Sequence, residues 1–172
     1  EIVKMVPDLY IAWHAGISSW KNLKSLNKNS IGIEISNPGH DFIYKRFSKK
    51  QIKSILILSK FLIKKYKISK KNILGHSDIA PSRKKDPGEK FPWQFLSKRG
   101  IGMWHSLSKR FLEKNRMIKV DLLKEKEFFN NIFKIGYTKK NPKNTKNNKY
   151  LVFLVQAFQR RFRQELINGK ID

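Results

Sequence analysis

Hydrophobic and polar positions along the chain change period several times, and each change predicts an element. Residues 1–10 alternate weakly and predict a strand followed by a loop. The segment SIGIEIS (30–36) alternates cleanly, with Ile31, Ile33 and Ile35 on one face and Gly32 and Glu34 on the other. NPGH (37–40) ends it. Ser48 and Gln51 form a capping-box pair ahead of a helix whose apolar stripe is Ile52, Ile55, Leu56, Leu62, Ile63 and Tyr66. NILGH (72–76) reads as a short strand, and a helical pattern resumes from Met103 to about Met117. Strand, helix, strand and helix in turn predict an α/β fold, a mixed sheet flanked by helices.

Near residue 119 the texture changes. Leu122, Phe129, Ile132 and Phe133 predict one amphipathic helix, and residues 137–149 read as a polar low-complexity loop. A second helix follows, with Leu151, Val155, Phe158 and Phe162 on one face. The division expected is therefore 1–118 and 119–172. Two helices bury little apolar surface, so the second part is expected to be a small all-α domain completed by a helix beyond Asp172. The chain starts at Glu1 without an initiator Met and stops just after the turn-like Asn168-Gly169, which suggests a piece of a longer polypeptide.

Composition narrows the function classes. A chain of 172 residues with 40% hydrophobic residues can bury a core, and no apolar run is long enough to span a bilayer. Without cysteine there are no disulfides and no thiolate metal sites. The net charge of +25 draws the chain toward polyanions, yet the lysines are spread along its length among asparagine and isoleucine. A solvated lysine-rich surface, an affinity for an anionic envelope polymer or membrane, and nucleic-acid binding all remain open on charge alone. No zinc-finger, RNP-like or helix-turn-helix signature supports a specific nucleic-acid partner.

The richest chemistry lies in GHSDIAPSRKKDPG (75–88), where His76 and Asp86 stand in a loop stiffened by Pro81 and Pro87. A catalytic zinc takes three protein ligands and keeps one position open, and His with Asp suits that role. The pair alone is equally a strand-end His and an Asp-Pro-Gly turn. Glu34, a carboxylate in the middle of a predicted strand, is an edge residue facing water or part of a site. Lys84 would point the same way as Asp86 in an extended stretch. A carboxylate to take a proton and an ammonium to meet an oxyanion are what metal-assisted amide hydrolysis needs.

AWHAGISSW (12–20), LNKNSIGIEISNPG (26–39), GHSDIAPSRKKDPG and FPW (91–93) occur in the order found in type 2 N-acetylmuramoyl-L-alanine amidases. The chain resembles that zinc-dependent family, which is related to the peptidoglycan recognition proteins and phage T7 lysozyme. FQRRFR (158–163) and the later NGKID resemble the small helical peptidoglycan-binding domain that follows the amidase in envelope members. The resemblance implies Zn2+ held by His76 and Asp86, with Glu34 and Lys84 catalytic and His14 lining the substrate groove. Trp13 or Trp20 is a candidate for stacking on sugar or peptide, whereas Trp93 and Trp104 read as core or groove wall. Ser82 replaces a common glycine of the family motif. His40 and His105 match no ligand position and read as surface or packing residues.

The family's first zinc ligand is a His on a strand ahead of WHAG. This chain is expected to begin after it, and so to bind zinc weakly and be inactive on its own. The implied reaction is hydrolysis of the bond between N-acetylmuramic acid and L-alanine of peptidoglycan or muropeptides. The alternative is a non-catalytic peptidoglycan-recognition protein of the same fold. The expected protein is a monomer of the bacterial envelope, periplasmic or lipid-anchored, with a cytoplasmic location as the alternative.

Overall fold

A computed structural model describes residues 1–138 and 147–172, without the side chains of residues 147 and 148. Two short strands, β1 (Ser19–Trp20) and β2 (Leu23–Lys24), are followed by helices α1 (Lys49–Tyr66), α2 (His76–Ile79), α3 (Trp93–Ser97), α4 (Lys109–Arg116), α5 (Leu122–Ile135) and α6 (Asn147–Phe162). Short 3-10 turns occupy Leu26–Lys28 and Lys70–Asn72. Most of the predicted 137–149 loop lies outside the described residues, and its last three residues already belong to α6.

The capping box forms as the sequence predicts. Ser48 Oγ accepts the Gln51 amide at 3.2 Å, and Gln51 Oε1 accepts the Ser48 amide at 2.8 Å. These bonds satisfy donors that the first turn of α1 leaves free. From α1, Ile52, Ile55, Leu56 and Ile63 pack into a cluster centred on Phe91, Trp93, Leu96 and Ile101.

The sheet is smaller than the predicted mixed sheet. Its single ladder is antiparallel, pairing Ser19 with Lys24 and Trp20 with Leu23. Residues 1–10, 31–36 and 72–76 take no part in it. Alternation alone cannot make a strand, because backbone donors and acceptors need a neighbouring edge. Only Ile35 of the isoleucine face reaches the core, while Ile31 and Ile33 are exposed. His76 opens α2 instead of closing a strand, because the Asp78 carboxylate accepts the Gly75 amide at 2.8 Å and turns the chain.

The helix predicted from Met103 starts later. Gly100 and Gly102 have φ of +82° and +77°, and Ser108 accepts the Phe111 amide at 3.2 Å to cap α4. The sequence patterns did not predict α3.

Helices α5 and α6 cover β1 and the chain that follows it. Trp20, Leu26, Ile132, Tyr137, Tyr150 and Leu154 belong to one buried cluster, so residues on both sides of position 118 share a core. Gly136 admits the close approach of Trp20, since a Cβ there would lie 2.4 Å from the indole.

Candidate active site

Backbone bonds fold the 75–88 loop back on itself. The Ser77 amide donates to Asp86 O at 2.9 Å, and the Arg83 and Lys84 amides both donate to Ala80 O at 2.9 Å. At the far end, Tyr44 Oη donates to Pro87 O at 2.7 Å. Asp86 thus returns to the start of α2, where its Oδ2 lies 3.1 Å from His76 Nδ1.

The other side of the His76 ring faces residues 15–17. His76 Nε2 lies 3.2 Å from Ala15 O. One guanidinium nitrogen of Arg83 reaches Ala15 O at 2.8 Å, Ile17 O at 3.2 Å and His76 Nε2 at 3.3 Å. His76 Nε2 thus faces both the Ala15 carbonyl and the Arg83 guanidinium, while Nδ1 faces Asp86. Gly16, at φ +55°, permits this approach, because a Cβ there would sit 2.9 Å from the Arg83 nitrogen. Ala15 is held in turn by its amide donating to Asn27 Oδ1 at 2.7 Å.

At 3.1 Å, His76 Nδ1 and Asp86 Oδ2 share a proton in the metal-free chain, and a bound cation would take its place. Two zinc ligands with ordinary bond lengths and a tetrahedral angle lie about 3.4 Å apart, so Nδ1 and Oδ2 fit two corners of such a site with little movement. With a metal at Nδ1, the Nε2 hydrogen would donate to Ala15 O, the outer hydrogen bond that a metal-ligating histidine ordinarily makes. No group of three potential ligands occurs among the described residues. Burial would raise the Asp86 carboxyl, but the His76 hydrogen bond and the charges of His76 and Lys84 outweigh it and hold the carboxyl below its usual range.

Lys84 is half-buried beside the pair. Glu34 is exposed, and no hydrogen bond or ion pair joins it to His76, Lys84 or Asp86 among the described residues. Its segment packs against His14 instead: a Cβ on Gly32 would lie 2.5 Å from the His14 ring. His14 sits with Nδ1 2.9 Å from Ala12 O and Nε2 2.9 Å from Ser30 Oγ, so it is not part of the His76 and Asp86 pair. Trp13 is 90% exposed and, with Gly16, Ile17, Asn27 and Tyr137, lines an open cavity of about 1360 Å³. Trp20 is only 4% exposed, edge-on to Tyr137, so it is a buried wall with no face open to a ligand. His40 pairs with Glu89 at 3.0 Å, and His105 stacks on Trp104.

Arg83 and the Ala15 carbonyl were not among the residues singled out from the sequence. The charge of Arg83 next to Lys84 was a visible signal. The carbonyl had none, because every residue carries one.

Residues 1–89 match the family described as N-acetylmuramoyl-L-alanine amidase. The chain is 38% identical over 180 residues to N-acetylmuramoyl-L-alanine amidase AmiD of Escherichia coli K12, covering 100% of this chain and 63% of AmiD. It is 41% identical over 93 residues to 1,6-anhydro-N-acetylmuramyl-L-alanine amidase AmpD of Enterobacter cloacae, covering 54% of this chain and 48% of AmpD. Among solved structures, Escherichia coli AmiD in complex with anhydro-N-acetylmuramic acid-L-Ala-D-γ-Glu-L-Lys superposes with a TM-score of 0.85 at 35% identity, covering 100% of this chain and 68% of that one. AmpDh3 of Pseudomonas aeruginosa in complex with anhydromuramic pentapeptide gives 0.83 at 34% identity, covering 99% and 68%. The chain therefore spans about half to two thirds of the length of these relatives.

Proposed function

Because the chain belongs to the N-acetylmuramoyl-L-alanine amidase family, of α/β fold and zinc-dependent as a family, we propose that it carries the working residues of a peptidoglycan amidase. The reaction is hydrolysis of the amide between N-acetylmuramic acid and L-alanine. The observation that carries this reading is the approach of His76 Nδ1 and Asp86 Oδ2 to 3.1 Å, with Lys84 beside them. Substrates of the anhydro-muropeptide class are supported by the ligands named for the AmiD and AmpDh3 complexes.

His76 and Asp86 would hold zinc together with a ligand not found among the described residues. Zinc bound there would supply Lewis acidity at the scissile carbonyl. Glu34 takes the proton of the attacking water, and the Lys84 ammonium meets the negative charge that develops on the carbonyl oxygen. Half-burial strengthens that last interaction, because less water screens it. His14 and Trp13 form part of the wall against which the muropeptide is seated.

Residues 1–118 supply the amidase part and 119–172 a helical part that resembles a peptidoglycan-binding domain. A polymer-binding part suits action in the bacterial envelope better than recycling of soluble fragments. Among the described residues no helix is long and apolar enough to cross a membrane.

The test is release of free peptide from an anhydro-N-acetylmuramyl peptide by the longest natural form of the chain, supplied with zinc. Asp86→Ala is expected to reduce turnover to background. Undiminished turnover would reject Asp86 as a ligand. Binding of the peptide by the wild type without any turnover would favour the recognition-protein reading.

A further inference from the structure

The positive charge is not spread evenly over the folded chain. No Asp or Glu lies between Asp41 and Asp78, and α1 sits within that span. By contrast, α4 and α5 interleave Glu113, Glu125 and Glu127 with their lysines. Among the lysines of α1, only Lys65 has an ion-pair partner among the described residues, Asp8.

The outward face of α1 combines this charge with apolar side chains. Ile57 and Phe61 stand four residues apart, neighbours on one face, and each is 58% exposed. At 100° per residue, Lys53, Lys60 and Lys64 lie along one flank of that pair and Lys50 continues the face toward the first turn. All four lysines are exposed. The opposite face, through Ile52, Ile55, Leu56 and Ile63, is already committed to the core. The helix of 18 residues is about 27 Å long, so the lysines span several lipid headgroups.

We propose that this face of α1 docks on an anionic phospholipid bilayer, with the helix lying in the plane of the surface. Lysines around an exposed apolar pair match the chemistry of that surface, where anionic headgroups border a hydrocarbon layer. A soluble anionic glycan or a nucleic acid complements the lysines but offers no hydrocarbon to receive Ile57. A second copy of the same face would set lysine against lysine. With one short apolar pair and a handful of charges, the association is weak, reversible and sensitive to salt.

The experiment is co-sedimentation of the full chain with phosphatidylcholine vesicles prepared with and without phosphatidylglycerol. Binding is expected only to the anionic vesicles and to weaken as salt is added. Each lysine near an anionic surface is worth about fivefold in partitioning, so Lys53→Glu, Lys60→Glu and Lys64→Glu combined should reduce it by at least roughly a hundredfold. These side chains are exposed, so the circular dichroism spectrum should not change. The decisive variant is Ile57→Ser with Phe61→Ser. It should weaken vesicle binding while leaving retention on heparin unchanged. Vesicle binding equal to wild type in that variant would overturn the proposal in favour of a soluble polyanion, and absence of wild-type binding to anionic vesicles would overturn it outright.

Discussion

Arg161→Met is expected to lower the melting temperature by roughly 10 °C, corresponding to the ~3–5 kcal/mol lost when one partner of a buried ion pair is removed from a chain of this size. Arg161 and Asp78 have side chains 2% and 1% exposed, and Arg161 Nη1 donates to Asp78 Oδ2 at 2.6 Å. The same guanidinium donates to Ile73 O at 3.0 Å and lies 3.9 Å from the centre of the Trp93 ring. Tyr137 Oη donates to the other Asp78 oxygen at 2.6 Å, and burial followed by the Asp78 charge holds that phenol far above its usual range, so it remains a donor. Methionine fills much of the volume but leaves the Asp78 carboxylate in the interior without its counter-ion. Arg161→Lys keeps the charge and loses the planar fork and the stacking, so it should fall between wild type and Arg161→Met. Asp78→Leu with Arg161→Leu removes both charges and should recover part of the loss, but not all, because Gly75 and Tyr137 lose their acceptor. Equilibrium urea unfolding provides the check. A loss below about 1 kcal/mol for Arg161→Met would mean that water reaches Asp78 and would sink the account.

The pair also explains why the two halves of the chain are hard to consider apart. Arg161 belongs to α6, while Asp78 shapes the turn that presents His76. Arg161 fell within FQRRFR, which was legible as part of a domain resemblance. Its burial was not, since arginine is seldom fully buried and nothing local marks the one that is. The same contrast runs through the fold. Helices α1, α5 and α6 could be read from stripes and caps, because the bonds that make a helix lie within a few residues. The segment 30–36 had a strand's alternation, but strand formation depends on a partner elsewhere. In the candidate site, the nearness of His76, Lys84 and Asp86 could be read because one short loop carries all three. What faces the other ring nitrogen of His76 could not be read, because Ala15 O comes from 61 residues away. Trp13 and Trp20 are the same residue type seven positions apart, and only folding separates one 90% exposed from one 4% exposed.

Glu34→Gln is expected to reduce kcat by about 10²–10⁴ while leaving the unfolding free energy unchanged. The size of the kinetic loss follows from the role proposed for Glu34 as the base that takes the proton of water, since glutamine keeps the shape and cannot accept that proton. The absence of a stability effect follows from its position. Glu34 is exposed and has no hydrogen-bond or ion-pair partner among the described residues, so no buried group is left unsatisfied by the change. Lys84→Met gives the complementary pattern. It removes the cation that meets the oxyanion, costing about 10²–10³ in kcat, and also a charge that helps hold the Asp86 carboxyl low. Asp86 contributes stability above the ordinary carboxylate pKa, and that contribution is lost as pH falls through its depressed folded value. With Lys84 gone, the folded value rises and the loss begins at a higher pH. Glu34→Gln should leave that acid limb in place. Steady-state kinetics on a muropeptide and acid unfolding of both variants separate the roles. A kcat for Glu34→Gln within a few-fold of wild type would remove Glu34 from the reaction and require the proton acceptor to be sought on another segment.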